Sequence, residues 1–123
     1  MDVKVIIAGS RNGTDYQTVE NAIELSEYKI TKIISGGCRG VDKLGEHYAK
    51  EHKIPLEVIE ADWAKYGKAA GPKRNQQMAE KADALIAILY PRSKGTRSMI
   101  KIALKQGLKV FIHTPIGVET LIV

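Results

Sequence analysis

Three observations predict an α/β domain with a mostly parallel five-stranded sheet in the order 3-2-1-4-5. Short β-branched runs alternate with longer amphipathic segments along the whole chain. The runs "VKVIIAG" and "DALIAILY" are apolar almost throughout, as strands covered on both faces must be. Glycine-rich turns follow the first, second and fourth strands, the end of a parallel sheet at which ligands bind.

The elements follow in order. Val3–Gly9 predicts the first strand and Ser10–Gly13 a loop. About Asp15 to Glu27, the stripe of Val19, Ala22, Ile23 and Ser26 predicts a helix. Ile30–Ser35 is the second strand. Gly40–His52 is a helix with Val41, Leu44, Tyr48 and Ala49 on one face. Leu56–Ala61 alternates as an edge strand does. Asp62–Pro72 contains two glycines and a proline and predicts a loop, followed by a short helix over Lys73–Lys81. Asp83–Tyr90 is the most apolar strand and belongs at the centre. After the turn Pro91–Thr96, Arg97–Gly107 predicts a helix with Ile100, Ala103 and Leu104 inward and Gly107 as its C-cap. Lys109–Thr114 is the fifth strand. The apolar tail Pro115–Val123 would add a strand or cover a partner subunit.

The 123 residues are expected to form one domain, 1–123, with enough length for a core. Apolar residues at 44% and charged residues at 27% exclude a disordered chain. The longest apolar run, Ala84–Tyr90, is too short to cross a bilayer, and no membrane partner is expected. The opening "MDVKVIIAGS" lacks a basic segment followed by a long apolar one, so a cytoplasmic location is expected. One cysteine, Cys38, excludes an intramolecular disulfide and a cysteine-built metal site. His47, His52 and His113 lack metal-ligand spacing, so no metal or cofactor is expected.

Net charge is +5, which favours anionic partners. The cations fall in or beside the glycine-rich turns: Arg11, Arg39, Lys43, Lys73, Arg74, Arg92, Lys94 and Arg97. Three turns, "GSRNG", "SGGCRG" and "YPRSKGT", therefore meet at one edge of the sheet. Helix N-termini present free N–H groups, and glycine lets an anion approach them. A phosphate crevice made by Gly9, Ser10, Arg11, Gly36, Gly37, Arg39, Gly40, Ser93, Gly95 and Thr96 is expected. Each turn alone is ordinary strand-to-helix chemistry, with Ser93 or Thr96 as an N-cap. The GxGxxG dinucleotide fingerprint and the P-loop pattern are both absent.

The segments "AGSR", "SGGCRGVDKLGEHYA", "ADWAKYGKAAGPKRNQQM", "ADALIAI" and "SKGTRSMIKIA" together resemble the SLOG superfamily in its YspA-like branch, over nearly the whole chain. The resemblance implies a Rossmann-like three-layer sandwich that binds nucleotides or nucleotide-derived ligands, commonly as a homodimer. Two related groups imply different activities. In LOG-type phosphoribohydrolases a "PGGxGTxxE" motif follows the fourth strand. Here Pro91, Gly95 and Thr96 fit it, whereas Arg92 and Ser93 replace its glycines and Met99 stands at the glutamate position. The "SGLARGID" motif of the DprA family, which binds single-stranded DNA, is similar to "SGGCRGVD" at Ser35, Gly36, Arg39, Gly40 and Asp42.

Asp42 and Glu46 stand at i, i+4 and share one face of their helix. As carboxylates they could serve N-glycoside cleavage, which passes through an oxocarbenium-like state. Otherwise Asp42 is a favourable charge at a helix N-terminus and Glu46 a surface partner of Lys43 or Lys50. Arg74 and Asn75 would bind a ribose or a second phosphate, unless Asn75 merely caps its helix. Asp62 and Trp63 could set an aromatic face against a base, but core packing is the expectation for the tryptophan. Beside Arg39, Cys38 is read as a small turn residue. The expected partner is a nucleotide-like small molecule, with nucleic acid as the alternative.

Overall fold

The computed structural model of the chain describes residues 2–12 and 14–115. Among the described residues five strands form one sheet: β1 Asp2–Gly9, β2 Lys29–Ser35, β3 Leu56–Val58, β4 Ala84–Ile88 and β5 Lys109–His113. Every neighbouring pair is parallel and the order is β3-β2-β1-β4-β5, as the alternation predicts. The helices are α1 Tyr16–Ser26, α2 Val41–Glu51, α3 Trp63–Tyr66, α4 Ala70–Lys81 and α5 Lys94–Gln106. Among the described residues no helix is long and apolar enough to cross a membrane.

Side chains alternate across a strand. Val3, Val5 and Ile7 of β1 therefore join Val19, Ala22 and Ile23 of α1 and Val41 and Ala49 of α2 in one buried cluster. Ile6 and Ala8 point the other way, into a cluster with Met78 and Ala79 of α4 and Met99, Ile100 and Ala103 of α5. All five residues of β4 are buried, which is why that strand is the most apolar of the sequence. β3 is shorter than its alternation suggests. It is clipped at the edge by Glu57, which bonds Lys32 at 2.7 Å and Lys81 at 2.6 Å. These two hydrogen bonds hold the Glu57 carboxyl down at about 2.

Three expectations need correction. Asp62–Pro72 is not a loop: it holds α3, a single 3₁₀ turn at Gly67–Ala69, and the start of α4. Pro72 is the third residue of α4, where its missing N–H has no intrahelical acceptor to lose. α5 likewise starts at Lys94 rather than Arg97. Leu104 does not face the core but is 47% exposed, with Ala103 making the contact beside it. Gly107 ends α5 in the left-handed conformation, at φ 87°, as expected of a C-cap. The tail falls almost wholly on residues 116–123, outside the described residues.

Candidate functional site

β1 and β4 are neighbours in space but lie in different halves of the sequence, so the helices leaving them diverge and a crevice opens between. Its volume is about 620 Å³. Gly9, Ser10, Arg11 and Asn12 line it from the end of β1, and Tyr90, Arg92 to Thr96, Ser98 and Met99 from the end of β4 and the start of α5. Trp63, Pro72, Arg74, Asn75 and Met78 line the side of α3 and α4, and Cys38 and Asp42 the start of α2.

The structure thus brings Gly9, Ser10, Arg11, Asp42, Arg74, Asn75, Ser93, Gly95 and Thr96 together on one crevice. Ser93 takes the N-cap position of α5, but its side chain makes no capping hydrogen bond. Lys94 N–H donates to the Arg92 carbonyl at 3.0 Å and Arg97 N–H to the Ser93 carbonyl at 3.1 Å, while those of Gly95 and Thr96 have no intrahelical acceptor. Asn75 does not cap α4. It lies inside the helix, 7% exposed, and accepts from Arg74 Nε at 3.0 Å.

The turn after β2 is filled from within. Asp42 Oδ2 accepts the Cys38 backbone N–H at 3.1 Å, so the start of α2 already holds an anion, the chain's own carboxylate. Arg74 Nη1 donates to the Gly36 carbonyl at 2.6 Å. A Cβ on Gly36 would lie 2.6 Å from that Nη1 and 2.8 Å from Asp42 Oδ2. Gly36 is therefore small so that Arg74 and Asp42 can close over it. Gly37 faces Val58 and Glu60 at the end of β3. Gly40 packs against the backbone of Ser10 and Arg11, joining the first two turns; Val41 N–H donates to the Ser10 carbonyl at 3.0 Å.

Arg39 is exposed, does not line the crevice, and reaches Asn12 Oδ1 at 3.4 Å. Glu46 is not a surface residue and does not line the crevice either. It is 8% exposed, accepts from Ser35 Oγ at 2.7 Å and meets Lys43 at 3.4 Å. The shared helix face does point inward, but one turn further along α2 it meets the end of β2. Cys38 Sγ sits between two guanidiniums, 3.7 Å from Arg11 Nη2 and 3.9 Å from Arg74 Nη2.

Burial is the main influence on Asp42, pushing its carboxyl up to about 6; the Cys38 N–H and Arg74 pull it down and Glu46 pushes it up. The folded value lies above the ordinary 3.8, so Asp42 contributes stability below that value and loses it as pH rises through about 6. Above that range the ionised group costs the fold on the order of 2–3 kcal/mol. An amide oxygen can still accept the Cys38 N–H. Asp42→Asn is therefore expected to raise the melting temperature at about pH 8 and to leave it nearly unchanged at about pH 4. An equal shift at both pH values would contradict this.

Trp63 is not packed in the core but 51% exposed at the crevice. Its helix is held by a local cap, Asp62 Oδ1 accepting the Lys65 N–H at 3.1 Å, and not by core contacts. Arg92, Lys94 and Met99 also line the crevice, although only their cationic or motif positions mark them in the sequence. Among the described residues one group, Glu20, Glu51 and His52, brings possible ligand atoms within 4.8 Å of one another. None of the three lines the crevice, and exposed acidic groups often gather in this way without an ion.

No curated protein matches the chain. Among the solved structures that share its fold are two DNA processing proteins. DNA processing protein A (DprA) from Streptococcus pneumoniae superposes with a TM-score of 0.69 at 21% identity, over 89% of this chain and 49% of that one. DNA processing protein A from Helicobacter pylori does so with a TM-score of 0.63 at 23% identity, over 89% and 64%. The chain thus spans about half of one and just under two thirds of the other. Residues 3–66, which carry β1, the first two glycine turns, α2 and α3, match the YAcAr family, and the chain belongs to this YspA, cpYpsA-related SLOG family.

Proposed function

We propose that the chain binds a nucleotide or nucleotide-derived phosphate ligand in the crevice between the ends of β1 and β4, and acts by sensing or sequestering it. One observation carries the reading. A crevice of about 620 Å³, within the range of small-molecule sites, is lined by Arg11, Arg92 and Lys94 beside the uncapped start of α5. Phosphate takes that end. Asp42, Asn75 and Arg74 offer acceptors and donors for a sugar in the middle. Met99 lines the crevice where the phosphoribohydrolase pattern has glutamate, so it brings no carboxylate and favours binding over cleavage. If the bond is cleaved, Asp42 is the available carboxylate and Glu46 is not, since it lies behind Ser35.

The test is a panel of mononucleotides and cyclic nucleotides, read by thermal shift and by mass spectrometry of the recovered ligand. A stabilising ligand recovered intact supports the proposal, and Arg11→Ala is expected to weaken it by roughly 10- to 100-fold. Free base with sugar phosphate would assign hydrolysis. No shift with any member would overturn the crevice as a nucleotide site. Single-stranded DNA is the second reading, favoured by the net charge of +5 and by likeness to a Helicobacter pylori protein described as binding single-stranded DNA. It requires affinity that grows with oligonucleotide length and falls steeply with salt.

A further inference from the structure

Trp63 is the chain's single tryptophan, and half of its surface meets water at the crevice. Among the described residues its indole has no ring, cation or hydrogen-bond partner. The ring is nevertheless placed. The Asp62 cap fixes the four-residue helix that carries it. Its edge lies beside Gly71 in the first turn of α4: a Cβ there would lie 3.4 Å from Trp63 Cη2, at van der Waals contact. With Pro72 and Met78 the indole makes an apolar wall, while Arg11, Arg92 and Lys94 make the cationic one. A crevice with one wall of each kind suits a ligand that is flat and apolar at one end and anionic at the other.

We infer that Trp63 is the base platform of the crevice: an aromatic nucleobase stacks on the indole while the phosphate lies at the cationic wall. The inference rests on the nucleotide reading above and narrows it. Every base has a π-face, so stacking selects a nucleotide over a sugar phosphate without selecting among bases. Trp63 is thus a specificity-determining residue.

The single tryptophan makes the test direct. The full chain is titrated with AMP, GMP, CMP and UMP and with ribose 5-phosphate, following intrinsic fluorescence and calorimetry together. The mononucleotides are expected to change Trp63 emission, and ribose 5-phosphate is not. Trp63→Ala, which removes an exposed side chain, is expected to weaken the mononucleotides by roughly 5- to 150-fold, to leave ribose 5-phosphate unaltered, and to be partly rescued by Trp63→Phe. Calorimetric binding of mononucleotides with unchanged emission and an indifferent Trp63→Ala would overturn the platform and leave the nucleotide reading standing. No calorimetric binding of any mononucleotide would overturn both.

Discussion

Replacing Gly40 by alanine is expected to cost about 3–5 kcal/mol of stability, summing backbone strain and overpacking. The residue holds φ 79° and ψ −131°, a region open essentially to glycine. An added methyl group would also meet the Ser10 carbonyl and the Arg11 backbone, which are main-chain atoms with little freedom to move. A drop in melting temperature of roughly 10–25 °C should follow. Gly95 is the control. Nothing lies within 4 Å of a Cβ placed there, and it occupies the first turn of α5. Gly95→Ala should gain about 0.5–1 kcal/mol. If the two variants melt alike, the turns are not welded together in the way described.

Arg74→Met is expected to be nearly as damaging, by about 2–4 kcal/mol at about pH 8, because it leaves the buried Gly36 carbonyl without its charged donor and removes a cation that favours the ionised Asp42. The guanidinium is 8% exposed, holds the Gly36 carbonyl at 2.6 Å and draws the Asp42 carboxyl downward. Without it, Asp42 titrates higher still. The variant should lose more stability than the parent as pH rises past about 6, and recover part of its deficit at about pH 5, where Asp42 is protonated. Arg74→Lys should restore little, since an ammonium lacks the fork that serves Gly36 and Asn75 together. Urea unfolding at the two pH values measures both claims. A deficit independent of pH would separate Arg74 from Asp42.

The sheet was legible because buried parallel strands must be apolar throughout, and β1 and β4 are. The loop assigned to Asp62–Pro72 was not, because glycine and proline signal a break wherever they stand, yet proline is harmless in the first turn of α4. The outer turns of the candidate site could be read from glycine and arginine after a strand. The middle turn could not. "SGGCRGVD" has the letters of an open phosphate cradle, and what closes it is a contact with Arg74, 38 residues from Gly36. Asp42 and Glu46 share a helix face, but sequence spacing does not say that Ser35 blocks the second of them. Trp63 is hidden for the opposite reason. A lone tryptophan is packed in most domains, whereas this one stands on a four-residue helix that buries none of its residues.

The pairing of β1 with β4 also governs how the chain reaches this state. Val5 aligns with Ala84, and Lys4 N–H donates to Asp83 Oδ2 at a separation of 79 residues. Closing so long a segment carries an entropy cost that local turns do not repay. Seams of this kind form late and slowly compared with neighbouring strand–helix contacts. The β1–β2 half, with α1 and α2, can assemble from nearby sequence while the crevice still lacks its far wall. Refolding should therefore show the central amides of β2 protected before ligand-binding competence returns.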